Sequence, residues 1–574
     1  MPYAPSAGHR ALTVTAAFRI STSEAEKKAL RVLERVSFPN RLTGGGSRTL
    51  PGSGSTRKSI LSSAQARVPT HSGPCHARNS RVFCTIWCTE NRGSGVRHTQ
   101  AGPTLIDRLI ASNPWWPGGP GPEADPHLRA WRSNPIRWVP SLVNELPLHR
   151  PAIYTVRGPR QVGKTTALKL LVARSLRESP DEGVVYYACD PDRDPDAIRL
   201  VVQTPREAYR RYRRWRIFPD EITTVPDWPR AIKWLWDNTA ARDDTFVLTG
   251  SSATDLWAGA ERMPGRRRET RPDRILLPLS FRDFARLHGV PPPLAAGPED
   301  FLQPGVLQEL SAAALRLGGL QRLMERYLRT GGFPMAVVDE YSAGSVAEPT
   351  VRALWDAISG ELLRQGRDPL RAYRLLQHTA RAMGSPVDWT GLGEVMDADR
   401  RTAEEYVRLL ASLFALLVLY REDPRRGGPM LRAHKKLYPA DPLLGHLPAR
   451  MAGGPAPSEA GLVEALITAT LFRSVEQEGA EAFFLPRSLF YWRSQAGGEV
   501  DAVVGRGRER LGVEVKYRDR VDERELAGLK RSFRRGLVIT RGTLSVEDVP
   551  YPKVPAALFA WLCGREGIQL RQDA

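Results

Sequence analysis

The sequence predicts an α/β protein built on a parallel sheet, and three observations predict it. Short apolar strands alternate with helical stretches between about residues 152 and 279. A glycine-rich loop, GPRQVGKTT (Gly158–Thr166), follows the first strand and opens a helix. A later apolar strand, RIFPDE, closes on the acidic pair Asp220 and Glu221.

The chain has 574 residues, too many for one core. At roughly 100–200 residues per domain it should hold about three or four. Its 41% hydrophobic and 25% charged content is ordinary for a soluble globular protein. No apolar run approaches the ~20 residues of a membrane span, and SLFALLVLY (Ser412–Tyr420) is too short. The early run ALTVTAAF is followed by no small-residue cleavage site, which argues against a signal peptide. Five Cys do not make a disulfide framework, and a reducing cytoplasm is the simpler location.

The net charge is +20 and unevenly spread. Residues 1–103 carry 15 Lys and Arg against 4 Asp and Glu, whereas the remainder carries 68 against 59. Composition therefore argues only weakly for a nucleic-acid partner.

Residues 1–103 are rich in Ser, Gly, Thr and Arg with little apolar periodicity, and read as a disordered basic extension. One amphipathic helix is expected at Ser23–Val36. Cys75, His76, Cys84 and Cys88 fit no strong zinc spacing. The texture changes at Leu105. LIDRLIASNPWW and IRWVPSLVNEL read as helices leading into a strand at Ala152–Val156. The loop and a helix from Lys164 follow. Further strands are expected at Gly183–Cys189, Arg214–Pro219, Thr245–Gly250 and Arg274–Leu279, with helices between. This gives a sheet unit over 104–285. Residues 286–385 are helical by pattern. Two smaller units follow, 386–448 and 455–574, divided by ARMAGGPAPSE (Ala449–Glu459).

The loop matches G-x-x-x-x-G-K-[ST] at Gly158, Gly163, Lys164 and Thr165. Its glycines let backbone N–H groups of Arg160, Gln161, Val162 and Thr166 turn around phosphate oxygens at a helix N-terminus that already favours anions, with Pro159 completing the loop. Only 11 of the 83 basic residues are Lys, yet one stands here. A compact ammonium meets the β/γ-phosphates in a way the planar guanidinium of Arg does not. ATP with Mg²⁺ is the expected ligand, Thr165 and Asp220 the expected metal-holding pair, and Glu221 the residue expected to polarise the attacking water. Pro219, just before the pair, is expected to shorten the ladder there. The strand TFVLTGSS brings Thr249, Ser251 and Ser252, read either as γ-phosphate sensors or as a loop cap. Arg266, in MPGRRRE, is a candidate charge-stabilising finger, set against an ordinary solvated loop.

RGPRQVGKTT, PDEITTVPDWPRAIKWLWD, VLTGSSATDL, PGR, LLPLSFRDF and YLRTGGFPMAV occur in an order that resembles prokaryotic AAA-like ATPases joined to a C-terminal domain of unknown function. The resemblance runs from about residue 105 onward. It implies an ATPase core, a helical lid, a winged-helix unit and a restriction-endonuclease-like end, with no implied substrate. Under it, TGLGEVM and DADRRTAEEYVRLLASLFALLVLYRE read as helix, turn, helix and strand. Arg400, Arg401 and Thr402 would open the second helix, where DNA contacts occur in DNA-binding versions, and His434, Lys435 and Lys436 would flank a wing. Winged helices that mediate only protein contacts are the alternative.

YWRSQAGGEVDAVVGRGRERLGVEVKY carries a second signal. Asp501 lies in one strand pattern and Glu514 and Lys516 lie on one face of another. This is the D-x12-E-x-K arrangement of PD-(D/E)xK nucleases, in which two carboxylates bind Mg²⁺ and the lysine positions water. Glu464 on the preceding helix is the candidate fourth member. Two readings follow. One is an ATP-driven switch acting on DNA through a nuclease or DNA-holding domain. The other is an ATP-controlled regulatory or scaffold protein with an inactive nuclease-like domain. A homo-oligomer is compatible with both.

Overall fold

The computed structural model describes residues 104–190, 194–250, 271–292, 295–475, 482–495, 497–505 and 510–564, all within the unit Ala77–Ala574. The expectations for residues 1–103, with Cys75, His76, Cys84 and Cys88, and those for Ser251, Ser252 and Arg266, lie outside the described residues.

Helix α1 (Leu105–Ser112) starts at Thr104, whose side chain and that of Asp107 cap each other's backbone N–H groups. Asn113 then bonds both the N–H and the C=O of Tyr186, at 2.7 and 2.9 Å. The indole N–H groups of Trp115 and Trp116 both reach the Val184 carbonyl. These side chains cover a sheet edge that would otherwise present unpaired backbone groups. Helices α2 (Pro126–Ser133) and α3 (Ser141–Glu145) lead into the sheet.

The first sheet is parallel throughout. It comprises β1 (Ala152–Arg157), β2 (Gly183–Ala188), β3 (Trp215–Asp220), β4 (Thr245–Gly250) and β5 (Asp273–Ile275), in the order β2-β3-β4-β1-β5. Helices α4 (Lys164–Glu178), α5 (Pro195–Ala208) and α6 (Trp228–Asn238) connect them. Alternate strand residues face opposite ways. Ile153, Val185, Ile217, Phe246 and Leu248 join the α5 and α6 side. Tyr154, Val156, Val184, Tyr186, Phe218 and Val247 join the α4 side. Burial on both faces is why these strands read as continuous apolar runs.

Pro219 has the expected effect. β3 pairs with β2 through Asp220, but with β4 only at Arg216↔Thr245 and Ile217↔Phe246. The Asp220 carbonyl faces β2, where it accepts from the Cys189 N–H, so the adjacent Pro219 faces β4 and has no N–H to give. The strand expected at Arg274–Leu279 is shorter than the sequence suggested: β5 stops at Ile275, ahead of Pro278.

Among the described residues the α-helices that follow are α7 (Phe281–Leu287), α8 (Pro304–Ala313), α9 (Leu317–Thr330), α10 (Pro334–Ala343), α11 (Glu348–Arg364) and α12 (Pro369–Arg381). Then come α13 (Trp389–Met396), α14 (Arg400–Ser412) and strand β6 (Leu416–Tyr420). A short hairpin of β7 (Glu422–Asp423) and β8 (Gly428–Pro429) leads to β9 (Lys435–Pro439), which pairs antiparallel with β6.

Helix α15 (Pro442–Ala452) runs into the Gly/Pro-rich stretch, and α16 (Glu459–Val475) follows it. The second sheet has the order β10 (Leu489–Arg493), β11 (Glu499–Val504), β12 (Leu511–Lys516), β13 (Gly536–Thr540) and β14 (Lys553–Pro555). Its first three strands are antiparallel and its last three parallel. Helix α17 (Ala527–Ser532) covers one face with Phe490, Val500, Val503 and Val538. Helix α18 (Ala556–Leu562) returns to α7, whose Arg282 donates to the Trp561 carbonyl at 2.9 Å. One continuous apolar cluster runs from Phe281 through Leu416 to Cys563. Among the described residues no helix is long and apolar enough to cross a membrane.

Candidate functional site

The glycine loop joins β1 to α4. A Cβ on Gly158 would sit 2.1 Å from the Leu276 carbonyl oxygen, so only glycine lets the loop pass under β5. Gln161 and Gly163 have φ of 66° and 92°, the left-handed turns that fold the loop back on itself. Val162 is fully buried beneath it and anchors it. Arg160 pairs with Glu361 of α11 at 3.6 Å. Pro159 is buried, Gln161 is exposed, and Thr166 sits half-buried in the first turn of α4.

Lys164 is buried, with its ammonium 3.2 Å from the carbonyls of Gly158 and Pro159 and 3.5 Å from Glu221. Burial pulls its pKa below the ordinary lysine range, and Glu221 and Asp220 oppose that pull. The Thr165 hydroxyl donates to Asp220 Oδ2 at 2.6 Å. These two groups sit where a divalent ion would find one hydroxyl and one carboxylate side by side. The residues present therefore fit Mg²⁺.

Asp220 is more enclosed than the sequence indicated. Thr249 donates to its Oδ1 at 2.5 Å and accepts from the Glu221 N–H at 2.9 Å. The Thr249 side chain thus takes over where Pro219 ends the β3–β4 ladder, and it holds the acidic pair. Tyr186, which sequence reading missed, donates its phenol to Asp220 Oδ2 at 3.0 Å. Burial and the Asp220 charge push that phenol's pKa up, so it stays a donor. Lys169 lies over the Tyr186 ring at 3.4 Å and pairs with Asp125 at 2.7 Å. No sequence signal marks Tyr186; the strand register places it two residues before Ala188, which pairs with Asp220.

Against known families, residues 150–285 match the model described as AAA domain. Residues 150–285 form an AAA-type P-loop ATPase domain. Residues 321–451 and 461–553 match two models described as Domain of unknown function (DUF8612) and Domain of unknown function (DUF4143). Among solved structures, the Walker-type ATPase paby2304 of Pyrococcus abyssi is 13% identical, with a TM-score of 0.34 over 54% of this chain and 93% of that one. The Aeropyrum pernix ORC2 protein is 12% identical, with a TM-score of 0.29 over 53% and 88%. No curated protein matches the chain.

The second constellation lies between β9, α16, β11 and β12. The β11–β12 ladder ends at Ala502↔Val513, and Asp501 Oδ2 accepts the next free N–H, that of Val515, at 2.9 Å. Lys516 and Glu514 point the same way, as alternation requires, and pair at 2.5 Å. Glu464 Oε1 accepts from the Tyr438 hydroxyl at 2.7 Å. Three members were not expected here: Tyr438, Glu499 and Lys436. The Lys436 ammonium lies 2.8 Å from Glu499, 3.1 Å from Asp501 and 3.4 Å from Glu464.

The reading of Lys435 and Lys436 as wing-flanking basic residues is therefore corrected. Both are buried, at 1% and 0% exposed, and neither reaches an outer face. Lys435 lies 3.8 Å over the Trp389 ring, and burial lowers its pKa to about 8. Arg400 and Arg401 are exposed at the start of α14, whose N-cap is Asp399.

Proposed function

We propose that the chain is a Mg²⁺-dependent ATPase acting as a switch on its own C-terminal domain. The observation that carries this reading is the Asp220 cluster. One carboxylate collects the hydroxyls of Thr165, Thr249 and Tyr186, which leaves Glu221 and the Lys164 ammonium side by side at the mouth of the loop.

Thr165 and Asp220 would hold Mg²⁺, which would neutralise phosphate charge. Lys164 exchanges Glu221 for phosphate oxygens, and Glu221, thus released, accepts the proton of the attacking water. Ser251 and Arg266 are the proposed sensor and finger.

A run of contacts supports the switch. A Cβ on Gly163 would meet Pro334 of the lid at 4.0 Å. The neighbouring Gly332 N–H donates to Asp441 Oδ2 at 2.8 Å. Asp441 follows β9, which carries Lys436 into the C-terminal cluster. The nucleotide loop thus meets the segment 435–441 through residues 332–334, and Lys436 ties that segment to the C-terminal carboxylates. The units over 386–448 and 455–574 are read as a winged helix and a PD-(D/E)xK-like domain. In support, α13, α14, β6 and the β7–β8 hairpin run in winged-helix order, and Asp501, Glu514 and Lys516 gather at the end of one ladder. DNA is the candidate partner, through Arg400 and Arg401.

The test is ATP turnover with and without DNA, alongside amide exchange across 435–441. The reading expects Mg²⁺-dependent turnover and an ATP-dependent change in exchange at β9. Wild-type protein that turns over no ATP with Mg²⁺, with or without DNA, overturns it. The buried Lys436 favours the version in which the C-terminal domain does not cut.

A further inference from the structure

The nuclease motif calls for a divalent ion among Asp501, Glu514 and their neighbours, and the residues present do not fit one. Among the described residues no group of three or more His, Cys, Asp and Glu is arranged to hold a metal ion. Instead, three carboxylates from two elements, Glu464 on α16 and Glu499 and Asp501 on β11, converge on a single nitrogen at 2.8–3.4 Å. That nitrogen belongs to a third element, β9, and its side chain is 0% exposed.

We propose that the Lys436 ammonium is a tethered cation standing in the cradle a divalent ion would otherwise occupy, so that the C-terminal site as folded is closed to metal. The inference stands on this cluster alone and does not depend on the ATPase reading.

Three observations carry it. First, the cradle is closely packed at Glu464. Gly384 packs so closely on Glu464 that a Cβ there would lie 2.5 Å from its carboxylate, and Tyr438 fixes the same oxygen at 2.7 Å. Second, Lys436 reaches all three carboxylates from a fully buried position, and no other basic side chain lies closer to Glu464 or Asp501 among the ion pairs of the described residues. Third, the cluster keeps a separate unmet demand. Glu514 has a side chain 6% exposed, and its Oε2 is buried without a hydrogen-bond partner among the described residues. Lys516 neutralises Oε1 of that carboxylate and leaves the other oxygen pointing at nothing. Four carboxylates against two lysines, with one carboxylate oxygen orphaned, is a cluster left short of positive charge, as follows when a two-charge ion is replaced by a one-charge side chain. Because Lys436 arrives from β9, it also pins that strand to β11 and α16.

The experiment uses the full chain without nucleotide and Mn²⁺ alone as probe, counting bound ion by electron paramagnetic resonance. Wild type should take up no Mn²⁺ that Asp501→Asn abolishes. Lys436→Met should take up one further Mn²⁺ per chain, lost again on adding Asp501→Asn, and its melting temperature should rise with Mn²⁺ while that of wild type does not. If Lys436→Met fails to fold, Lys436→Met/Glu464→Gln removes one charge of each sign and carries the same measurement. Asp501-dependent Mn²⁺ binding by wild type would overturn the proposal, since the lysine would then yield its place. So would a folded Lys436 variant that gains no Mn²⁺.

Discussion

Two lysine–carboxylate clusters among the described residues, those of Lys164 and Lys436, are built in different ways. In the loop at Gly158–Thr166, the lysine, its metal-side hydroxyl and the turning glycines are consecutive in sequence. The acidic pair is the end of one strand. In the C-terminal cluster, β9, α16, β11 and β12 each contribute, and the central cation comes from outside the motif. The first arrangement leaves Lys164 one carboxylate, Glu221, which it can give up for phosphate. The second gives Lys436 three and no exit. A cluster with a replaceable partner is poised for a ligand, whereas a saturated one is a clamp.

The contrast is sharpest at Glu221. Glu221→Gln should leave ATP binding intact and lower turnover by about 10²–10⁴-fold, because only proton acceptance is lost. Measured binding and single-turnover rates separate the two, and a variant with unchanged turnover would break the contrast at its active side.

On the clamp side, Lys436→Met without metal should cost about 3 kcal/mol of stability, since three half-buried carboxylates lose their buried counter-ion. Denaturant melts check it, and an unchanged midpoint would show the cluster is not saturated by this lysine.

Lys164→Ala should weaken ATP binding by about 10- to 100-fold, the worth of a charged hydrogen bond, with little change in melting temperature. Calorimetric titration with ATP reads it.

The smallest effect separates neighbours. Lys435 precedes Lys436 on the same strand but lies over the Trp389 ring, where Glu404 and Asp388 offset only part of its burial. Its folded-state pKa of about 8 lies below the ordinary lysine value. Between about pH 8 and 10.4 the unfolded chain holds the extra proton, so this group adds stability as pH rises through that window. Below pH 8 both states are protonated and the burial cost is constant. Lys435→Met should therefore raise the melting temperature at pH 7 by roughly 2–4 °C, with the gain fading toward pH 10. A drop instead would mean that the Trp389 contact outweighs the burial cost.

How much of each site was legible follows from the same difference. Gly158, Gly163, Lys164 and Thr165 announce themselves because backbone geometry at a strand–loop–helix junction requires them in a fixed spacing. Asp220 and Glu221 are legible as a strand end. Tyr186 is not, because a tyrosine on an apolar strand carries no mark of which carboxylate its phenol will meet. Among the C-terminal residues, Asp501, Glu514 and Lys516 follow from alternation along two strands. Lys436 looked like a wing residue because a lysine after a polar hairpin usually faces solvent.

By itself, the sequence determined the parallel sheet, the phosphate loop, the acidic pair and the shortened ladder at Pro219. Each rests on local rules, namely two-residue alternation, glycine at a close approach and a proline without an N–H. Tertiary structure alone decided that Thr249 and Tyr186 would share Asp220, and that β9 would deliver Lys436 to Glu464, Glu499 and Asp501. Those contacts join residues 28 to 65 positions apart. Electrostatic energy in a buried cluster depends on where charges end up in space, and no local pattern encodes that.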